Sequence, residues 1–216
     1  MFISGFTFVR NAIVFGYPIL ESLKSLIPLC NEIIIAAGKS EDNTLGILRG
    51  INDKRIKIIE TEWDESLKKS GLVYSQQTNL ALEHCQGDWC IYLQADEVLH
   101  EKDFEKTREQ IQVADKNLNV EGLLFRYNHF YGSYDYIGVG RQWYRREIRA
   151  FRNTGNIISW GDAQGFRKRT DKGFEKLRAF QTECEVYHYG WVRPPKAQFK
   201  KIKISRNYYC CRKIRR

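Results

Sequence analysis

Short apolar runs alternate with amphipathic segments through the first half of the chain. Strand-like runs cover residues 2–8, 32–37, 56–63 and 89–95. Between them, apolar residues recur at helical spacing, first at 19–27 after Pro18 and again at 72–85 and 104–113. Alternating strands and helices predict right-handed crossovers, and therefore an α/β fold with a mostly parallel sheet flanked by helices.

The alternation of predicted strands and helices ends at about residue 119. Strands are predicted at 121–130 and 149–151, among aromatic loops, and a last helix is predicted at 197–208. A chain of 216 residues is long enough for one sizeable core, so we expect a single folded domain. Within it we distinguish residues 1–118, residues 119–195 with mixed strands and loops, and a basic C-terminal segment, 196–216.

The net charge of +9 is concentrated in that basic segment. It contains nine Lys and Arg and no acid, which leaves 26 basic and 26 acidic residues in the rest of the chain. A neutral body argues against nucleic acid as a partner. If the basic segment is helical, it suits peripheral contact with anionic lipid, and a solvated, frayed terminus is the alternative.

Cysteine usage and apolar runs predict a cytoplasmic protein. The six cysteines show no CxxC pair and no regular spacing, and the N-terminus lacks a signal-peptide pattern. Reduced thiols are therefore expected. Because the longest apolar runs fall far short of the roughly 20 residues that cross a bilayer, any membrane contact would be peripheral, at the inner face of the plasma membrane.

The segment IYLQADEVLH, residues 91–100, closes a strand-like run with two adjacent carboxylates, Asp96 and Glu97. Open parallel sheets bind ligands beyond the carboxyl ends of their strands. Carboxylates held there are suitable ligands for a hard divalent cation. The alternative is that both acids open the following helix, where negative charge meets the helix dipole.

Three segments extend this pattern: ISGFTFVRNA, IIIAAGKSEDNT and NLALEHCQGDWCIYLQADE. Together they resemble glycosyltransferases of the GT-A fold, family 2, and the spacing from Asn79 through Gly87 to Asp96 is that of the family. The resemblance implies that residues 1–118 bind a nucleotide-sugar and that residues 119–195 bind an acceptor. The implied donor contacts are Thr7, Val9, Arg10, Gly38, Asp42, Asn79, Gln94 and Asp96.

The family resemblance implies a metal-dependent, inverting transfer of a sugar, with a UDP-sugar as the expected donor. The acceptor would be a hydroxyl of a glycan or a lipid-linked molecule, as in the synthesis of cell envelope polysaccharide. A sugar nucleotidyltransferase is a competing interpretation. Such an enzyme requires a glycine-rich loop after the first strand, and the segment FTFVRNA has none.

Departures from the family keep a non-catalytic alternative open. Ala36 and Ala37 stand where the family has paired acids, and Gln94 replaces the first acid of its DxD motif. The chain could therefore be a degenerate GT-A domain that binds a glycan or a partner without turnover. For the loop that contains Gly38 and Asp42, an ordinary turn with a helix cap is the alternative to a nucleoside contact.

Two residues of the second half complete the implied site. Asp162, in NIISWGDAQGFRKR, is the candidate general base, and a helix N-cap is its alternative role. His188, in VYHYGWVRPP, would join Asp96 and Glu97 as ligands of Mn²⁺ or Mg²⁺, with the imidazole favouring Mn²⁺. The alternative for His188 is a hydrogen-bonded packing residue.

A stretch dense in aromatic residues and arginine, residues 126–152, is the candidate acceptor region. Sugar faces stack on aromatic rings, whereas many such rings belong to a core, and that second interpretation stays open for each of them. The candidate acceptor contacts are Trp160, Tyr144 and His129, with Tyr127, Tyr131 and Trp143 as further rings of the cleft.

Overall fold

The computed structural model describes residues 1–208. Six α-helices and eleven strands alternate along this part of the chain, with 3₁₀ helices at Glu65–Gly71 and Glu101–Asp103. The helices are α1 (Ala12–Phe15), α2 (Ile19–Leu26), α3 (Thr44–Arg49), α4 (Leu72–Leu82), α5 (Phe104–Asp115) and α6 (Pro195–Tyr208). The strands are β1 (Ile3–Val9), β2 (Glu32–Gly38), β3 (Ile56–Thr61), β4 (Trp89–Tyr92), β5 (Glu97–Leu99), β6 (Gly122–Tyr131), β7 (Arg146–Arg152), β8 (Ile157–Trp160), β9 (Gly165–Thr170), β10 (Gly173–Glu175) and β11 (Ala179–Trp191).

Eight strands form one mixed sheet in the order β3-β2-β1-β4-β7-β6-β11-β5. The strands from β3 to β4 are parallel, and β7 joins them in antiparallel orientation. The predicted α/β class is therefore confirmed. Strands β6, β7 and β11 come from the second half of the chain and extend the same sheet, while β8, β9 and β10 form a small antiparallel sheet.

The central strands are apolar on both faces because helices cover each side of the sheet. Ile33 and Ile35 of β2 pack in one core cluster with Leu23 of α2. Ile34, which alternates with them, packs in a second cluster with Ala81 of α4. Burial on both faces is why β2 is a continuous run of apolar residues, as expected for a strand of a parallel sheet.

The chain differs from the sequence expectation around the two acids. Strand β4 ends at Tyr92, residues 93–96 form a turn, and Glu97 begins β5, which pairs antiparallel with β11. The alternative that Asp96 and Glu97 open a helix is therefore wrong, because α5 begins only at Phe104. Tyr189 of β11 donates its backbone N–H to the carbonyl of Asp96 at 2.8 Å, which fixes the turn.

The C-terminal helix predicted at 197–208 is confirmed as α6, which packs against α1 and against the 3₁₀ helix Glu65–Gly71. The last eight residues of the basic segment, 209–216, lie outside the described residues. Among residues 1–208, no helix combines the length and the apolar character that crossing a membrane requires.

Candidate active site

The strand order of the sheet reverses at β1, the place where open α/β sheets have their ligand-binding crevice. The chain runs from β1 outward through β2 to β3 and then returns to the other side of β1 as β4. The carboxyl ends of β1 and β4 therefore flank a topological switch point, the usual ligand site of an open α/β sheet. Arg10 and Asn11 follow β1 at this point, and the turn that contains Asp96 follows β4.

Asp96 lies at the bottom of the crevice, 5% exposed, and contacts two cations of the C-terminal region. Its Oδ2 accepts hydrogen bonds from Arg193 Nη2 at 3.2 Å and from Lys201 Nζ at 3.1 Å. Both cations also lie over the Tyr17 ring, 4.9 and 5.4 Å from its centroid. Burial raises the pKa of Asp96, but the charges of Lys201, His188 and Arg193 lower it further, so the carboxyl is held ionised.

His188 approaches the other carboxylate oxygen, with its Nε2 3.9 Å from Asp96 Oδ1. Its Nδ1 is 2.8 Å from Nδ1 of His129, whose Nε2 is 2.8 Å from the carbonyl oxygen of Tyr144. Burial lowers the pKa of both histidines, to about 4 for His188, so both are neutral at pH 7.

The hydrogen bonds of the two histidines determine their tautomers. A carbonyl oxygen only accepts, so His129 donates from Nε2 to Tyr144 and accepts at Nδ1. His188 must then donate from Nδ1, which leaves the lone pair of its Nε2 beside Asp96. Gly190 allows this approach, because a Cβ there would overlap His188 Nε2 and lie 3.1 Å from Asp96 Oδ2.

Glu97 points away from the crevice into the protein interior. Its carboxylate accepts two hydrogen bonds of 2.9 Å from Arg149, one on each oxygen, and both side chains are 0% exposed. The Tyr127 hydroxyl and the Gln94 backbone N–H donate to the same carboxylate. Both of its oxygens are already bound inside the core, so this arrangement does not support a metal on Glu97, and that role stays a prediction of the resemblance.

Asp162 lies in the turn between β8 and β9, and not at the start of a helix as its N-cap alternative required. Gly161 and Ala163 on either side have φ of 63° and 62°, and such left-handed backbone at a residue with a Cβ costs energy. Gln94 donates from its side-chain amide to the Ala163 carbonyl at 3.2 Å. Arg149 donates to the Gln164 carbonyl at 2.9 Å. The turn of the candidate base is thus attached to the turn of Asp96.

The family model for glycosyl transferase family 2 matches residues 16–188. The chain belongs to this family. The crystal structure of S. aureus TarS 1–349 has a similar fold, with a TM-score of 0.55, 12% identity, and coverage of 96% of this chain and 70% of that one. TarS 1–349 in complex with UDP-GlcNAc gives a TM-score of 0.55 at 14% identity, covering 87% and 58% of the two chains. No curated protein matches the sequence. The predicted GT-A fold and family 2 membership are confirmed.

Several residues that the family resemblance assigns to the donor have other contacts here. Thr7 and Val9 are buried inside β1. Asn79 clamps α4 to β8, because its side chain accepts from the Ser159 backbone N–H at 2.7 Å and donates to the Ser159 carbonyl at 3.3 Å. Asp42 accepts from the backbone N–H groups of Val14 and Thr44, which is the turn role that its alternative described.

Two of the assigned donor residues do face the crevice. The Arg10 guanidinium lies over the Trp63 ring, 5.2 Å from its centroid, and pairs with Glu65 at 3.5 Å. Gly38 leaves the space that Trp63 and Arg10 occupy, because a Cβ at this position would overlap the Trp63 indole. Arg10, Trp63 and Gly38 therefore form the wall of the crevice on the β1 and β2 side.

The predicted acceptor residues separate into buried and exposed groups. His129 is buried and bonded at both ring nitrogens, so it supports His188 and does not line a cleft. Tyr144 packs edge-on against His129, with 4.4 Å between ring centroids. Trp160, 48% exposed, packs on Phe174 beside the Asp162 turn. Tyr131, Trp143 and Trp191 form a surface cluster with centroids 5.9–6.2 Å apart.

The metal site that the resemblance implies does not fit the residues that the structure brings together. His188 offers a suitable lone pair, but Glu97 is bound to Arg149, and Oδ2 of Asp96 is bound to two cations. Within residues 1–208, no group of three His, Cys, Asp or Glu side chains converges as metal ligands do. Metal dependence therefore stays a prediction of the resemblance.

Three residues of the site carried no recognisable signal in the sequence. Arg149, Arg193 and Lys201 are ordinary members of basic or aromatic stretches, and each finds its acidic partner at least 52 positions away. The density of arginine in residues 126–152 indicated charge recognition, but it could not distinguish the buried Arg149 from its exposed neighbours.

Proposed function

We propose that this chain transfers a sugar from a UDP-sugar to a hydroxyl group of a glycan or a lipid-linked acceptor, with inversion at the anomeric carbon. Family membership and the similar fold of TarS, which was crystallised with UDP and with UDP-GlcNAc, support a nucleotide-sugar donor. The single observation that carries the proposal is the attachment of the Asp162 turn to the Asp96 turn through Gln94 and Arg149.

These bonds hold the turn of the candidate base next to the turn of the candidate donor site, which supports one shared site. The nucleoside diphosphate would lie beyond the carboxyl ends of β1 and β4, where an open sheet binds its ligand. Asp162 would take the proton of the acceptor hydroxyl as that oxygen attacks the anomeric carbon, an effect worth roughly 10²–10⁴-fold in rate. The bond from the anomeric carbon to the phosphate oxygen breaks, and its electron pair leaves with UDP.

The surface cluster of Tyr131, Trp143 and Trp191 supports a glycan as the acceptor. Tyr131 is 56% exposed, and its neighbours present further aromatic faces on the same side. Exposed aromatic groups of this kind mark interaction sites more often than isolated surface rings do. Contact of the basic segment with a membrane stays a prediction, since residues 209–216 lie outside the described part of the chain.

The test is release of UDP from a panel of UDP-sugars, with and without short glycans, by the wild type and by Asp162→Asn. We expect turnover with at least one UDP-sugar and a loss of roughly 10²–10⁴-fold in Asp162→Asn. Asp171→Asn, in an exposed turn between β9 and β10, is the matched control and should keep full activity. Binding of UDP without turnover of any sugar would contradict the proposal and favour the non-catalytic alternative.

That alternative has one structural observation in its favour. Ala36 and Ala37, at the positions of the family's paired acids, are buried in β2 and pack in the two core clusters. Family members have carboxylates at these positions, whereas this chain has alanines that pack in the core. Recognition of the nucleoside must therefore come from other groups. The panel of UDP-sugars decides between a changed donor preference and a loss of turnover.

A further inference from the structure

Helix α6 folds back over the crevice and brings positive charge to Asp96. Gly16, which ends α1, lies against the start of α6, since a Cβ there would be 3.6 Å from Arg193 and 3.7 Å from Ala197. Arg193 donates from Nη1 to the Phe15 carbonyl at 2.8 Å, which attaches the segment before α6 to α1. Within α6, eight positions after Arg193, Lys201 reaches the same carboxylate as Arg193.

The positive charge around Asp96 is larger than the negative charge of its carboxylate. Asp96 carries one negative charge, and Arg193 and Lys201 together carry two positive charges within 3.2 Å of its Oδ2. Lys201 uses two of its three N–H groups on Asp96 and on the Gly190 carbonyl, and its side chain is 29% exposed. Among the described residues, the third N–H of Lys201 has no acceptor, and an excess of positive charge with such a donor favours binding of an anion.

Unsatisfied donors point to the same ligand. The Nε–H groups of Arg193 and Arg10 are buried, and neither has a hydrogen-bond partner among the residues that the structure describes. A buried donor without an acceptor is costly. The Arg10 side chain is 22% exposed and is therefore suited to a ligand oxygen, whereas Arg193, 0% exposed, contributes its positive charge from inside the protein. Arg10 follows β1 and Arg193 is bound to α1, so both belong to the switch-point side of the sheet.

We propose that Lys201 binds the diphosphate of the donor, with the buried Arg193 adding its positive charge from behind, and that the pair neutralises the departing nucleoside diphosphate in the place that a divalent metal takes in the implied family site. The inference rests on the proposed function. Asp96 positions the two cations through its Oδ2, and His188 and Gly190 close the site behind it.

The same contacts disfavour a metal on Asp96. A divalent cation bound to this carboxylate would lie beside two positive side chains that already share one of its oxygens. Glu97, the second acid of the implied set, is bound to Arg149 and Tyr127. Two side-chain cations can stabilise the leaving phosphate by charge-assisted hydrogen bonds, which are about twice as strong as neutral ones.

The test is calorimetric titration of the full chain with UDP, GDP and uridine, in buffer with EDTA and in buffer with Mn²⁺. The variants are Lys201→Gln, Lys201→Arg and, as matched control, Lys200→Gln, which removes the same charge from the exposed neighbouring position of α6. Thermal melting of each variant checks that folding is unchanged.

We expect a nucleoside diphosphate to bind the wild type in EDTA. Lys201→Gln should weaken it by about 10- to 100-fold, the usual effect of losing a hydrogen bond to a charged group. Uridine, which lacks the diphosphate, should be affected less than twofold, Lys200→Gln should match the wild type, and Lys201→Arg should recover most of the affinity.

Two results would overturn the inference. Diphosphate binding that needs Mn²⁺ and disappears in EDTA, or an unchanged affinity in Lys201→Gln, would refute the role of the cations and leave the proposed function standing. If neither UDP nor GDP binds in either buffer, the proposed function fails together with the inference.

Discussion

Replacing Arg149 by methionine is expected to lower the free energy of unfolding by about 3–5 kcal/mol, because it leaves the Glu97 carboxylate buried without its counter-charge. The change removes two hydrogen bonds of 2.9 Å to Glu97 and two to the carbonyls of Ile148 and Gln164. The free energy of unfolding of a typical domain is about 5–15 kcal/mol. This one substitution should therefore remove a large part of the stability of the protein.

Urea denaturation followed by circular dichroism at pH 7 measures the loss. The control is Arg49→Met, since Arg49 pairs with Glu60 on the surface, where both side chains are about 60% exposed and a pair contributes under about 1 kcal/mol. The double variant Glu97→Met, Arg149→Met should be more stable than Arg149→Met, because an apolar pair of similar volume leaves no buried charge.

The stabilisation by the Glu97–Arg149 pair should depend on pH in a defined direction. Burial raises the pKa of Glu97, but the charge and hydrogen bonds of Arg149 lower it further, so the folded-state pKa lies below the ordinary value of 4.5. The pair therefore stabilises the wild type above pH 4.5, and this contribution disappears as the pH falls through the folded-state pKa. In Arg149→Met burial becomes the dominant influence on the pKa of Glu97, opposed by the weaker hydrogen bond from the Gln94 backbone N–H. The cost of the substitution should therefore shrink between pH 7 and pH 4. A cost at pH 7 as small as that of Arg49→Met, or one independent of pH, would refute the reasoning.

Three further substitutions separate the roles of residues around the crevice. Gly190→Ala should lower the free energy of unfolding by about 1–3 kcal/mol in urea denaturation, because the added Cβ would overlap His188 and push it from Asp96. Asn79→Ala should lower the free energy of unfolding by about 1–3 kcal/mol and leave UDP affinity unchanged, because the Asn79 side chain bonds to the Ser159 backbone. Weaker UDP binding at unchanged stability would instead support the donor contact that the family resemblance implies. Tyr131→Ala should raise the KM for a glycan acceptor by up to about tenfold, with hydrolysis of the UDP-sugar unchanged in the absence of acceptor.

The pattern of apolar and polar residues was sufficient to predict the sheet and the position of Asp96. Strands β1 to β4 follow from their apolar runs, and helix α2 follows from the helical spacing of its apolar residues. Helix α4 is less clear from its pattern, because its buried residues include Ser75, Gln77 and Thr78. Asp96 could be placed at the carboxyl end of a central strand because it follows the buried run of β4. The prediction needed only local sequence and the general rule for open sheets.

The roles of the two adjacent acids could not be separated in the same way. The chain turns at Asp96 and enters β5 at Glu97, so the two neighbouring side chains point in different directions and have different partners. Which acid does which depends on where a buried counter-charge lies, and Arg149 is 52 positions from Glu97. Two acids in sequence are compatible with a shared metal, and only the structure shows that the Glu97 oxygens are bound to Arg149 and Tyr127.

The basic C-terminal segment shows the same dependence on distant partners. Nine cations without an acid are typical of a solvated terminus or a lipid-facing helix, and composition treats all nine alike. The structure distinguishes one of them, because β11 ends beside the Asp96 turn and α6 then runs back over α1. Lys201 thereby reaches an acid 105 positions earlier in the chain. A charge that the sequence places in the tail is therefore part of the crevice, and the number of cations at Asp96 follows from the path of the chain between β11 and α6.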